Sequence, residues 1–206
     1  MEIQKARIAV LVSGGGTNLQ ALIDAQRQGK LPHGEIVLVV SNKEGAYALT
    51  RASEAGIPAL TVTRKQAGGQ EAFEIEILRA LKEHRADMVV LAGFLSILSA
   101  DFVAEYPNRI LNVHPSLIPA FCGEGYYGLR VHRAALERGV KVTGATVHFV
   151  NEVTDGGEIL MQRAVRVRRG DTPESLQARV MREAEWKILP AATERVAKSI
   201  VKGKGN

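Results

Sequence analysis

One cysteine, Cys122, stands in 206 residues, and no apolar run approaches the roughly 20 residues that cross a bilayer. The first scarcity excludes an internal disulfide framework and any multi-cysteine metal site. The second leads to the expectation of a soluble, cytoplasmic protein with no membrane partner. No block of five or six consecutive Lys or Arg occurs, and the densest basic stretch, Arg163 to Arg169, alternates with Ala and Val like the exposed face of a strand. The five histidines show no zinc-ligand spacing, so no metal is expected. There is no internal repeat and no low-complexity linker.

A composition of 46% hydrophobic and 24% charged residues fits a single globular α/β domain over 1–206, without room for a second. The net charge of +5 favours anionic partners but does not choose between nucleic acid and small phosphorylated metabolites. That choice falls to the site.

Arg7 to Val12 is an apolar run ending in Ser13-Gly14-Gly15-Gly16-Thr17-Asn18, after which Leu19, Leu22 and Ile23 recur at helical spacing. The alternation continues with Ile36 to Ser41 as strand, Ala46 to Ala55 as helix, Ala59 to Val62 as strand and Glu71 to His84 as a long helix. Met88 to Ala92 and Ile110 to Val113 add two buried strands. This rhythm implies a mostly parallel sheet covered on both faces. Val142 to Val150 and Ile159 to Val167 break it and read as an antiparallel addition. Asp171-Thr172-Pro173-Glu174 reads as a helix start with Glu174 three residues after Asp171, as in a capping box. That helix carries Leu176, Val180 and Ile188, is expected to break at Pro190, and is followed by a frayed tail over the last five or so residues, Lys202 to Asn206.

Candidate chemistry lies at the strand ends. Asn112 and His114 stand where a strand stopped by Pro115 and Pro119 becomes loop, and Asp155 precedes the paired Gly156 and Gly157 after the run Thr146 to Val150. Together they supply what acyl transfer needs: a proton carrier, a donor for an oxyanion, and a carboxylate that favours the imidazolium. Singly, each has a structural reading, as a buried histidine bonded to backbone, a buried amide and a turn residue. The Gly14 to Asn18 loop is either a phosphate cradle at a helix start or a tight turn capped by Thr17 or Asn18. It is neither a Walker loop, since no Gly-Lys-Ser/Thr follows, nor a dinucleotide fingerprint, since Leu19 holds the third glycine position. Spacing assigns His132 to a first helical turn and His148 to a strand, both in structural roles, with His33 and His84 exposed.

These residues give the chain a resemblance to the folate-dependent formyltransferases, from about Ile8 to Pro190. It rests on SGGGTN at 13 to 18, SNK at 41 to 43, LAGF at 91 to 94, LNVHPSLIP at 111 to 119 and VHFVNEVTDGG at 147 to 157. The resemblance implies a three-layer α/β/α fold with a mixed, mostly parallel seven-stranded sheet in which one strand is antiparallel. It implies transfer of the formyl group of 10-formyltetrahydrofolate, as co-substrate, to the amine of glycinamide ribonucleotide, by a monomer or homodimer. The family's catalytic Asn, His and Asp fall on Asn112, His114 and Asp155. Its phosphate loop falls on Gly15, Gly16, Thr17 and Asn18, and its ribose-binding Glu on Glu185. The folate pocket is similar to Leu95, Ser96, Ile97 and Leu98, backed by Asn151, Glu152, Val153, Thr154 and Asp155. Two departures stand out. An Arg common in the folate stretch is Ser96 here, and a phosphate-binding Arg is Gln70, leaving Arg64 or Lys65 to supply the charge.

Phe121 to Gly128, rich in glycine and aromatics, is either a mobile lid or an inert surface loop. Cys122 within it is not expected to act as a nucleophile, because formyl transfer between amines requires no covalent enzyme intermediate. Three rival functions remain. A formyltransferase acting on charged initiator tRNA needs an additional nucleic-acid-binding domain for which 206 residues leave no space, so no nucleic-acid partner is expected. A formyltetrahydrofolate hydrolase shares the catalytic residues but usually carries an N-terminal regulatory domain. A non-catalytic phosphometabolite-binding protein explains the glycine loop and leaves Asn112, His114 and Asp155 idle.

Overall fold

A computed structural model describes residues 4–204. Its elements run β1 (Ala6–Val12), α1 (Thr17–Arg27), β2 (Gly34–Ser41), α2 (Tyr47–Glu54), β3 (Ala59–Thr61), α3 (Arg64–Ala67), α4 (Gln70–Glu83), β4 (Met88–Leu91), α5 (Ala100–Ala104), β5 (Ile110–His114), α6 (Leu129–Arg138), β6 (Val142–Phe149) and β7 (Ile159–Arg166). The C-terminal part is α7 (Pro173–Val180), a π-helical turn (Met181–Glu185) and α8 (Trp186–Lys204).

The seven strands form one sheet in the order β3-β2-β1-β4-β5-β6-β7. β1 to β5 are mutually parallel, β6 runs antiparallel to β5, and β7 antiparallel to β6. The mixed sheet with one reversed strand is the architecture expected from the sequence. Because β1 has β2 on one side and β4 on the other, the strand order reverses at β1/β4. Open α/β sheets bind ligands in the crevice this reversal creates, beyond the carboxyl ends of the strands.

Side-chain alternation along the strands divides the core in two. Ile8, Val10 and Val12 of β1 join Leu111 and Val113 of β5 in the cluster packed on α1, α2, α7 and α8. Ala9 and Leu11 join Val89, Leu91 and Ile110 in the second cluster, beneath α4 and α5 with Phe73, Ile77 and Phe102. Asn112 and His114 share parity with Ile110 and therefore lie on this second face. The apolar cover there stops short of β6, which contributes Thr146 and His148 to that face instead. The gap in the apolar layer is where polar groups gather.

Two C-terminal expectations are corrected. The helix start is capped by Thr172, whose hydroxyl accepts from the Ser175 N–H while Ser175 Oγ takes the Thr172 N–H, so the box is Thr172/Ser175 with Pro173 in its first turn. Asp171 instead makes a bidentate pair with buried Arg179 and accepts the Arg168 N–H, which holds its carboxyl well below the usual carboxylate range. Nor does Pro190 end a helix: α8 runs through it to Lys204, so Lys202 to Lys204 are helical and only Gly205 and Asn206 of the expected tail lie outside the described residues. The physical reason is visible upstream. Leu176, Val180, Ala184, Ile188, Ala192, Val196 and Ile200, every fourth residue, are all buried. On a regular α-helix each such step overshoots a full turn by about 40°. The wide turn at Met181–Glu185, closed by the Trp186 N–H on the Met181 carbonyl, undershoots and brings the stripe back. Pro190 lies inside α8 and forfeits the bond to the Trp186 carbonyl, and the buried Leu189, Ala192 and Thr193 beside it hold the helix in place through that loss.

Candidate active site

β1, β2, β4 and β5 deliver their carboxyl ends to one edge, and the following loops are stitched together there. Ser13 Oγ accepts the Leu95 N–H at 2.8 Å, and Asn42 Nδ2 donates to Ser96 Oγ at 2.8 Å. Ser96 is thus a partner for the Ser-Asn-Lys motif. Leu95 and Ile97 project to solvent at 56% and 67% exposure while Leu98 is buried, so the stretch presents apolar side chains on an anchored backbone.

The glycine loop leads into α1 with Gly16 as the N-cap, in the left-handed region at φ 70° and with no side-chain cap. Thr17 and Asn18 are the first two helical residues rather than the cap. The three glycines are not equivalent. A Cβ on Gly16 would lie 2.7 Å from Ala48 Cβ and 2.8 Å from its Cα, whereas Gly14 and Gly15 face open space. Gly16 is required by the turn and by α2, and the other two keep the approach to the helix N-terminus clear.

The charge beside this loop comes from Arg51, which the sequence reading did not single out. Its Nε donates to the Gly15 carbonyl at 2.8 Å, Nη1 donates to Gln20 Oε1, and the guanidinium rests 4.9 Å above the Tyr47 ring. Arg64 and Gln70 belong elsewhere. Both line a cavity of about 490 Å³ with Leu95, Ile97, Leu98 and Ser99, and Gln70 Nε2 donates to the Ile97 carbonyl at 3.1 Å and to buried Glu74. Of the two residues expected to supply the phosphate charge, Arg64 or Lys65, Arg64 stands instead at the Leu95 to Leu98 stretch. An Arg on α2, thirty-odd residues after the loop it touches, carries no local signal in the sequence.

Glu185 lies in the π-helical turn, 5% exposed, and its Oε2 accepts from Asn18 Nδ2 at 2.7 Å. Burial pushes its carboxyl up to about 7 despite that bond. Asn18 Oδ1 is buried with no hydrogen-bond partner among the described residues.

Asn112 and His114, neighbours on β5, do come together with the distant Asp155, and His148 joins them. Asp155 Oδ2 is 3.5 Å from His114 Nδ1 and Oδ1 is 3.6 Å from His148 Nε2, all three side chains being less than a tenth exposed. Asn112 Nδ2 is 3.2 Å from the same His148 nitrogen. Burial raises the Asp155 carboxyl, but hydrogen bonds from His148 and the Gly123 N–H and the nearby imidazoles outweigh it and hold the group below its ordinary value. The Asp-Gly-Gly motif explains its own geometry. Asp155 sits at φ 55°, and a Cβ on Gly157 would collide with the Phe149 carbonyl at 1.7 Å, so only glycine lets the turn fold onto the end of β6. Asn151 Oδ1 accepts the Val153 N–H, and Asn151 to Thr154 lie exposed on this turn. His148 was read as a structural strand residue. Its alternation parity with Asn112's partner rung was the available signal, but the register of β5 on β6 is needed to use it.

The loop over Phe121 to Gly128 reaches the same cluster through its backbone. The Phe121 carbonyl accepts from His114 Nε2 at 2.8 Å and the Gly123 N–H donates to Asp155. Cys122 is turned to the Pro119 carbonyl, and burial, then Asp155, pushes its thiol pKa up, which disfavours the thiolate. His132 on α6 is fully buried with both ring nitrogens unpartnered among the described residues, and burial, with a smaller effect from His114, lowers its pKa to about 4. No group of three His, Cys, Asp or Glu suited to a metal ion occurs among the described residues, and among them no helix is long and apolar enough to cross a membrane.

The model of the formyl transferase family matches residues 6–193. A chicken protein named trifunctional purine biosynthetic protein adenosine-3 is 46% identical over 201 residues, 98% of this chain and 19% of that protein, so the chain spans about a fifth of such relatives. The crystal structure of phosphoribosylglycinamide formyltransferase from Brucella melitensis is 43% identical, superposes with a TM-score of 0.86, and overlaps 94% of this chain and 96% of its own. A formyltetrahydrofolate deformylase from Pseudomonas syringae has a TM-score of 0.85 but 29% identity, over 96% of this chain and 63% of its own.

Proposed function

The chain belongs to the formyl transferase family, and from that premise we propose that it transfers the formyl group of 10-formyltetrahydrofolate to the amine of glycinamide ribonucleotide. The observation that carries the reading is the Asn112–His148–Asp155–His114 cluster on β5, β6 and the turn after β6, at the same sheet edge as an open glycine loop and an exposed apolar stretch. The glycine loop, with Arg51 behind it, suits the phosphate of the ribonucleotide, and Glu185 with Asn18 suits its ribose. Leu95 to Leu98 and the turn Asn151 to Thr154 suit the folate, with Arg64 near enough to that stretch to meet its anionic tail.

The amine attacks the formyl carbon, and negative charge grows on the formyl oxygen. His114 donates Nε2–H to the Phe121 carbonyl, which fixes Nδ1 as the working nitrogen. Nδ1–H of the imidazolium and Nδ2–H of Asn112 then stabilise the oxyanion, while the ionised Asp155 balances the imidazolium. Collapse of the tetrahedral intermediate breaks the bond to the folate nitrogen. The proton lost by the attacking amine ends on that nitrogen, moved by the Asp155–His114 pair. Positioned oxyanion donors contribute about 10²–10³-fold each and acid–base groups about 10²–10⁴-fold.

The alternative with an observation in its favour is hydrolysis of formyltetrahydrofolate, since a deformylase shares the fold. Open space at Gly14 and Gly15, at the N-terminus of the helix whose Asn18 donates to Glu185, favours a phosphorylated acceptor over water. An absorbance assay of folate product with and without glycinamide ribonucleotide tests this: turnover that requires the acceptor supports the transferase, and acceptor-independent turnover overturns it in favour of the hydrolase. No turnover in either case leaves a binding protein.

A further inference from the structure

A cavity of about 450 Å³ opens between the outer side of α1 and the first turn of α8, and its walls include none of the Asn112–His114–Asp155–His148 cluster. Small residues of α1, with Pro190, make an apolar floor, and Trp186 stands at its side, 38% exposed. Lys30, Arg51 and Lys187 line it together with a single carboxylate, Asp24. A chain of hydrogen bonds runs along one wall: Arg51 Nε to the Gly15 carbonyl at 2.8 Å, Arg51 Nη1 to Gln20 Oε1 at 2.9 Å, and Gln20 Nε2 to Asp24 Oδ1 at 2.9 Å. The cavity wall and the glycine loop therefore share Thr17 and one guanidinium.

We propose that this cavity is a second binding site, for a nucleoside phosphate. Its volume falls within the range of about 300–1,000 Å³ typical of small-molecule sites. A bare anion has no use for the indole and the apolar floor, and an uncharged apolar ligand has no use for three cations. A ligand with both a flat heterocycle and a phosphate uses both, the ring stacked on Trp186 and the anion held by Lys30 and Lys187. Asp24 spends Oδ1 on Gln20, which leaves its other oxygen as an acceptor for an exocyclic amino group of the base. Because an occupant that draws on Arg51 loosens its hold on Gly15, occupancy also reaches the glycine loop. The proposal goes beyond the formyl-transfer reading and does not depend on it.

The chain has one tryptophan, so intrinsic fluorescence reports on this cavity directly. Titration with adenosine and guanosine 5′-monophosphates, folate being absent, should give a saturable change with a dissociation constant below about 1 mM for at least one of them. Inorganic phosphate and free adenosine should each bind about tenfold more weakly or worse. Reversing the two lysines together, Lys30→Glu with Lys187→Glu, should weaken nucleotide binding about tenfold or more while turnover of the two substrates is unchanged. Equilibrium dialysis with labelled nucleotide gives the same constants without reliance on the indole. The proposal is overturned if neither method detects saturable binding, if the lysine reversals leave binding intact, or if glycinamide ribonucleotide competes simply with the nucleotide, which would make the cavity part of the acceptor's own site. Failure of the transferase assay would leave these binding results standing, and their failure would leave the transferase standing.

Discussion

Asn112 Nδ2 lies 3.2 Å from His148 Nε2, across the rung of the β5–β6 ladder that pairs the two residues. His148 Nδ1 meanwhile donates to the Phe149 carbonyl at 2.8 Å. In the neutral ring Nε2 thus accepts one amide hydrogen of Asn112 and leaves the other to point at an oxyanion. In the charged ring it turns its N–H toward Asp155. His148 is a positioning residue by this geometry.

The amide and its ring should therefore fail together. Asn112→Ala and His148→Phe are each expected to lower kcat by about 10²-fold. The double variant should be little worse than either single one, because both remove the same oriented donor. Additive losses in the steady-state rate would separate the two residues.

His114→Ala and Asp155→Asn should each lower kcat/KM by about 10²-fold or more in protein whose circular dichroism is unchanged. Because the Asp155 carboxyl is held below its ordinary value of 3.8, activity that depends on its charge should fall only as pH drops below that value, and this acid limb should be missing from the residual rate of Asp155→Asn. Near-full turnover of His114→Ala would remove the catalytic assignment.

Glycine positions 15 and 16 should part company. Gly15→Val adds a side chain in open space, and should fold normally while raising the KM for glycinamide ribonucleotide more than that for the folate. Gly16→Val places a β-branched side chain at φ 70° against Ala48, and should lower the melting temperature regardless of ligand. Equal thermal stability of the two variants would contradict the packing seen at Ala48.

Two buried groups should pull stability in opposite directions. Glu185, raised from 4.5 to about 7, binds its proton more tightly folded than unfolded, so it costs stability as pH rises through that window. His132, lowered from 6.5 to about 4, does the reverse, and its cost appears as pH falls below 6.5. Each is worth at most about 3 kcal/mol. Unfolding titrations should show a nearly flat profile for the unmodified protein between pH 4.5 and 6.5. Glu185→Gln should gain stability as pH rises and His132→Phe should lose it. Parallel profiles in the two variants would refute the assignment.

The sequence shows the parallel half of the fold well because strand and helix periods differ and glycine and proline punctuate each change. Asn112, His114 and Asp155 are legible because each sits beside such a mark, Pro115 or Gly156. His148 and Arg51 are not. Each takes its role from a residue distant in sequence, through ladder register in one case and helix packing on the loop in the other, and neither leaves a local pattern. The helix through Pro190 is hidden for a related reason: the wide turn at Met181–Glu185 that aligns its four-residue apolar spacing has no local mark of its own.

The reversed strand also sets an order of events. A chain emerging from the ribosome has its glycine loop, its parallel sheet and Asn112 and His114 in hand before β6 exists. His148 and Asp155 arrive with the segment that must add antiparallel to β5. Turnover then waits on that ladder and on α7 and α8 as well, since these follow β7 and complete the core beneath β1, so it appears only after the sheet and the helix layer have both closed.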